Sequence, residues 1–108
     1  MNMLPDPVAR YLKASAEVDA EGALAPFAPD AGVVDEGRTR EGAAEIADWI
    51  AQAAVAVKAR PTVLSVDTED GAHLVRASVS GDFPGSPVDL TFRFRLSADG
   101  ISRLEIRP

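Results

Sequence analysis

The 108-residue chain contains no cysteine, which excludes disulfides, thiolate metal sites and thiol nucleophiles. Histidine occurs once, as His73, so a metal centre built on several imidazoles is excluded too, and neither metal nor cofactor is expected. Long apolar runs are missing. The longest, Ala53 to Val57, is far short of the roughly 20 residues that cross a bilayer, so no membrane partner is expected. The opening MNMLPDPVAR has neither a basic n-region nor an apolar h-region, and a cytoplasmic location is expected. Positive charge is scarce: 11 Lys+Arg stand against 17 Asp+Glu, for a net charge of −6. Such a surface repels phosphate backbones, which makes nucleic acid a poor partner.

What is present is ordinary for a globular protein, with 46% apolar and 26% charged residues, and the length fits one domain over 1–108. Asp6-Pro7 reads as a helix start, with Asp6 as N-cap and Pro7 first in the helix. Val8, Tyr11, Leu12, Ser15 and Val18 then share one face of a helix ending near Asp19. Asp19 can cap a second short helix, Ala20 to Phe27, before a break at Pro29. A brief apolar strand, Gly32-Val33-Val34, delivers Asp35 just past its end, and Asp35-Glu36-Gly37 reads as a turn. Arg38-Thr39-Arg40 leads into a helix from about Gly42 to Ala56, with Ala43, Ile46, Trp49 or Ile50, and Ala53 facing inward; Pro61 stops it.

Beyond Thr62 the period changes from 3.6 to 2. Pro61 to Glu69 is a strand, Asp70-Gly71 a hairpin turn, and Ala72 to Gly81 the partner, with His73, Val75, Ala77 and Val79 on one face. Val88, Leu90, Phe92, Phe94 and Leu96 alternate with Asp89, Thr91, Arg93, Arg95 and Ser97 in a further strand. Ala98-Asp99-Gly100 turns it, and Ile101 to Arg107 closes the sheet. Helices first and consecutive antiparallel strands afterwards make this α+β, with helices on one face of a curved meander.

The arrangement puts the Asp35 carboxylate at the mouth of a pocket roofed by helices. Tyr11 is either a core aromatic or a hydrogen-bond donor facing that pocket, and Asp35 either a turn former or a functional carboxylate. His73 is a core or rim histidine, or an acid–base partner for Asp35 across the cavity. Trp49 packs the third helix on the sheet, with ligand stacking as its second role. Arg93, Arg95 and Arg103 with Asp89 and Glu105 form a charged outer face, whose functional reading is a polar dimer surface.

Tyr11-Leu12, Asp19-Ala20-Glu21-Gly22, Leu24, Phe27-Ala28-Pro29-Asp30-Ala31, Val33, Asp35, Gly42 and Ile46 together resemble the nuclear transport factor 2-like superfamily, which includes SnoaL-like polyketide cyclases and ketosteroid isomerases. Phe92-Arg93-Phe94, Asp99-Gly100 and Ile106 extend the likeness over essentially the whole chain. The resemblance implies a cone of three helices wrapped by a strongly bent antiparallel sheet (the cystatin-like fold) around an apolar cavity, and a homodimer through the outer sheet face. It places Asp35 where ketosteroid isomerases carry the proton-shuttling base and Tyr11 where they carry the phenol that donates to the enolate. A third acid of that site falls near Asp89; strand parity turns Asp89 away from Leu90, Phe92 and Phe94, unless a bulge between Asp89 and Phe92 brings it inside.

The expected function is therefore a small-molecule pocket for an apolar, carbonyl-containing ligand, with cofactor-free proton transfer beside the carbonyl. Asp35, Tyr11 and His73 are the catalytic candidates, and Trp49, Leu90, Phe92 and Phe27 the ligand-lining ones. The alternatives are a non-catalytic binding or dimerisation module, and a dehydratase or hydrolase using His73 with Asp35.

Overall fold

The computed structural model describes residues 4–108; the first three residues, part of the stretch read above for a secretion signal, lie outside it. Helix α1 covers Asp6–Ala16. Its N-cap is Pro5 rather than Asp6; Asp6 sits one position later, in the first turn, where its charge complements the exposed N–H groups. The helix also stops earlier than periodicity suggests, because Val18 takes a left-handed φ of 55° and the Asp19 N–H folds back on the Ala14 carbonyl at 2.9 Å. Asp19 caps α2 as expected: its Oδ1 accepts from the Gly22 N–H at 3.1 Å.

That second helix is only Ala20–Leu24. Phe27, expected at its end, instead opens a nine-residue strand, β1, Phe27–Asp35. Pro29 thus lies inside a strand instead of breaking the chain. The pairing of β1 with its neighbour shifts register between Phe27 and Gly32, which accommodates a residue that has no N–H to give. Glu36 and Gly37, at φ 53° and 74°, form a two-residue left-handed turn. It leads into a strand absent from the sequence reading, β2, Arg38–Glu41. Helix α3 spans Gly42–Ile50 and continues as a π-helical turn, Ala51–Val55. Ile46, Trp49 and Ile50 are all buried, whereas Ala43, expected inward, is exposed.

Strands β3 (Arg60–Glu69), β4 (Ala72–Ser80), β5 (Val88–Ser97) and β6 (Gly100–Arg107) follow as an antiparallel meander. The six strands lie in the order β2-β1-β6-β5-β4-β3, in a sheet that curves without closing. One pairing departs from the antiparallel expectation: β1 runs parallel to β6. Parallel neighbours need a long crossover, and everything from β2 to β5 supplies it. Gly100, at φ 121°, opens β6 where a side chain would strike the Pro26 carbonyl. That carbonyl accepts from the Ile101 N–H at 2.9 Å, tying the entry of β1 to the start of β6.

The register aligns two rows of side chains on the face toward the helices. One runs Val33, Leu104, Phe94, His73; the next runs Asp35, Ile106, Phe92, Val75. Val33, Leu104, Phe94 and Val75 are wholly buried and, with Val8, Ile46 and Ile101, make the core. Asp35 therefore ends an otherwise apolar row.

Candidate functional site

Asp35 is the last residue of β1 and is half-buried. Its backbone pairs with Arg38 on one side and Ile106 on the other. Its carboxylate Oδ2 accepts a hydrogen bond from Trp49 Nε1 at 3.0 Å. Trp49 reaches it from α3, where its ring is buried beside Ile46 and Ile50. Arg40 completes the corner by donating from Nη1 to the Asp35 carbonyl at 3.3 Å. Asp35 is thus both a turn residue and a group gripped by tertiary contacts.

Tyr11, on α1, is buried against two aromatic rings. Phe27 meets it edge-on with centroids 5.5 Å apart, and Phe94 meets it at 5.7 Å. Burial raises the phenol well above its ordinary range; the Ser15 hydroxyl, one turn along the helix, works against that, and the Asp35 charge reinforces it. Tyr11 stays neutral through the physiological range and keeps a proton to donate. The Asp35 charge is the least of the causes that shift the phenol, and Asp35 is not among the residues that line the crevice beside Tyr11.

Beside Tyr11, a crevice of about 10 Å³ is lined by Ser15, Val18, Ala23, Ile50, Ala54 and Val55 among others. That volume holds about one water. The crevice opens under the π-helical turn.

His73 lies elsewhere. It is half-buried on β4, opposite Thr68 and Phe94, and β5 and β6 stand between it and the strand of Asp35. Of the ligand-lining candidates, Phe27 and Phe92 are buried in the core cluster and Leu90 packs against it half-buried; Phe92 stacks parallel to Phe94 at 6.3 Å. Asp89 is exposed and pairs with Ser78, on the outer face, as strand parity requires. Among the described residues, no three His, Cys, Asp or Glu side chains gather to hold a metal, and no helix is long and apolar enough to cross a membrane.

Two members of the site escaped the sequence reading. Ser15 was assigned only to the apolar face of α1, although its spacing of four from Tyr11 is the spacing at which helical side chains meet. Arg40 was taken as a lead-in to α3; alternation of Arg38 and Arg40 around Thr39 was the available sign of a strand.

Helices laid on one face of an open, curved, six-stranded sheet, with a phenol on α1 and a carboxylate at the end of β1, define a nuclear transport factor 2-like protein of cystatin type. The chain belongs to the SnoaL-like domain family, whose model matches residues 8–104. It is 41% identical to a Sinorhizobium meliloti protein provisionally described as a polyketide cyclase, with a TM-score of 0.88 over 96% of this chain and 95% of that one. Two more distant structures share the fold alone. One is a protein from Catenulispora acidiphila of ketosteroid isomerase-like fold, solved with trimethylamine: 19% identity, TM-score 0.81, 98% of this chain and 87% of that one. The other is an NTF2-like protein of unknown function from Cytophaga hutchinsonii: 14% identity, TM-score 0.79, 99% and 93%. No curated protein sequence matches the chain.

Proposed function

We propose that the chain binds an apolar small molecule carrying a carbonyl group and moves a proton beside that carbonyl without a cofactor. The observation that carries this is the Asp35 carboxylate, held at 3.0 Å by a buried indole; the un-ionised phenol of Tyr11, whose ionisation the Asp35 charge opposes, supports it. Asp35 takes the proton from the carbon next to the carbonyl, and the electron pair moves onto oxygen as an enolate. Tyr11 donates a hydrogen bond to that oxygen, which is worth most at the moment charge develops. Asp35 returns the proton at the conjugated carbon, so atoms and charge balance. The candidate cyclase from Sinorhizobium meliloti is in keeping with a ligand that presents an acidic C–H beside a carbonyl.

A small β,γ-unsaturated ketone or ketosteroid tests the proposal. The wild-type chain should isomerise it, and Asp35→Asn should do so at least about a hundredfold more slowly, the effect expected when a general base is removed. Equal rates in the two proteins would end the proposal.

A second reading, a binding module without turnover, is favoured by one observation: the crevice at Tyr11 measures only about 10 Å³. A ligand entering at that crevice would have to separate α1 from the π-helical turn. Thermal stabilisation by ligand with no turnover would select this reading. A dehydratase or hydrolase built on His73 with Asp35 would have to act across two intervening strands.

We also propose that a second copy of the chain covers the outer sheet face. On that face Arg93, Arg95 and Arg103 occupy β5 and β6, while Asp67 and Glu69 lie at the β3 end. A two-fold pairing would set the two charge groups against each other. Sedimentation at low and high salt is the test: a monomer at both would remove it.

A further inference from the structure

We infer that Trp49 is the positioning residue for Asp35: its indole N–H holds the carboxylate by Oδ2 and leaves Oδ1 to exchange the proton. This rests on the proposed proton transfer and assigns a role within it.

Asp35 sits at the very end of β1. A carboxylate on the last residue of a strand, next to a two-residue turn, has no neighbour of its own strand beyond it and swings freely unless something holds it. Three contacts hold it here. The backbone is paired on both sides, to Arg38 and Ile106; Arg40 caps its carbonyl at 3.3 Å; and Trp49 takes one carboxylate oxygen at 3.0 Å. The first two fix the Cα, and only the third fixes the carboxylate. Trp49 can do so because it is only 5% exposed, on a helix that also buries Ile46 and Ile50.

The same bond decides what Trp49 does not do. An indole has one donor and no acceptor. With that donor spent on Asp35 and the ring buried, Trp49 offers a ligand no hydrogen bond, so the ligand's oxygen must be met by Tyr11. A hydrogen bond to an ionised group is about twice as strong as a neutral one. Removing the donor both loosens the carboxylate and leaves it half-buried without that partner.

Trp49 is the chain's one tryptophan, which gives a readout independent of turnover. In the wild-type protein, the single indole 1H–15N resonance should lie where a hydrogen-bonded N–H resonates, and in Asp35→Ala it should shift toward that of a free indole while the rest of the spectrum stays folded. Glu36, Arg38, Arg40 and Tyr11 remain unchanged in that variant, so the shift belongs to Asp35. In Trp49→Phe, which keeps a ring but no donor, kcat for the β,γ-unsaturated ketone should fall at least about tenfold with KM within about twofold, as misplacement of a reacting group predicts. An indole resonance that Asp35→Ala leaves in place overturns the inference. So does a folded Trp49→Phe with wild-type kcat when Asp35→Asn is inactive. If the wild type turns nothing over, the proposed reaction has failed, and the resonance still decides whether the indole holds the carboxylate. The same resonance settles the matter if Trp49→Phe does not fold.

Discussion

Two corners of this sheet are built alike and covered differently. At the end of β1 the chain reads Asp35-Glu36-Gly37, and at the end of β3 it reads Glu69-Asp70-Gly71. Each places a carboxylate on the last strand residue, then an acidic residue and a glycine in a two-residue turn. The turns are nearly superposable in conformation, with φ of 53° and 74° in the first and 51° and 79° in the second. Yet Asp35 is half-buried under an indole, whereas Glu69 is exposed. The difference is cover. β1 is an interior strand, flanked by β2 and β6 and overlaid by α3; β3 is the edge, with no buried residue and with Leu64 54% exposed. Local chemistry makes a carboxylate at a turn, and packing makes it a candidate base.

The largest effect expected from this contrast is on stability. Phe94→Ala removes a wholly buried ring from the row shared with Val33 and His73, and should cost about 3–5 kcal/mol. Leu64→Ala on the edge strand should stay within about 0.5 kcal/mol. Chemical denaturation of both variants measures the pair; similar values would mean that the edge strand belongs to the core after all.

Next comes the carboxylate itself. Where Asp35→Asn should slow isomerisation about a hundredfold, Glu69→Gln should leave the rate within about twofold, although it alters the equivalent position of the other turn. A comparable loss in the two would place the chemistry outside the covered corner.

Tyr11 gives a pH-dependent version of the contrast. Its folded-state ionisation lies above the ordinary phenol value of 10.0, so the folded chain holds this proton more tightly than the unfolded one does. Its contribution is fully present below pH 10 or so and is lost as pH rises beyond it. Tyr11→Phe should flatten the alkaline side of the stability curve. In the wild type the single tyrosine should show its phenolate absorbance only as the protein unfolds.

The smallest effect sharpens the comparison by showing what the corners share. Gly37→Ala and Gly71→Ala each force a side chain into the left-handed region, at about 1–2 kcal/mol. The two costs should agree, since neither position is crowded: nothing lies near a side chain at Gly37, and only the Arg95 guanidinium, at 3.9 Å, near one at Gly71. Unequal values would trace the difference to the turns instead of to what lies above them.

Much of this could be read from residue order because it depends on neighbours in the chain. Period-2 alternation marked β4 and β5, Asp70-Gly71 marked their hairpin partner's turn, and Asp19 followed by Glu21 marked the cap of α2, each a contact within a few residues. Parity turned Asp89 outward unless a bulge intervened, and the unshifted pairing of β4 with β5 shows none there. Where the reading slipped, a local signal was weak or was overruled. Arg-Thr-Arg-Glu has no apolar alternation, so β2 was invisible until β1 lay beside it. Pro29 looked like a break, but a shifted register let the strand pass through it. Val18 matched the helical stripe, yet the chain turned left-handed there to bring Asp19 into place.

Residue order by itself determined the class of architecture, the apolar inner face of the sheet and the location of Asp35 just past an apolar strand, since periodicity and turn chemistry act over a few residues. Tertiary structure alone decided that β1 and β6 run side by side, that Trp49 rather than His73 meets Asp35, and that Tyr11 lies buried among aromatic rings. Those contacts join residues distant along the chain, and their energies exist only once the helices have closed over the sheet and water has left.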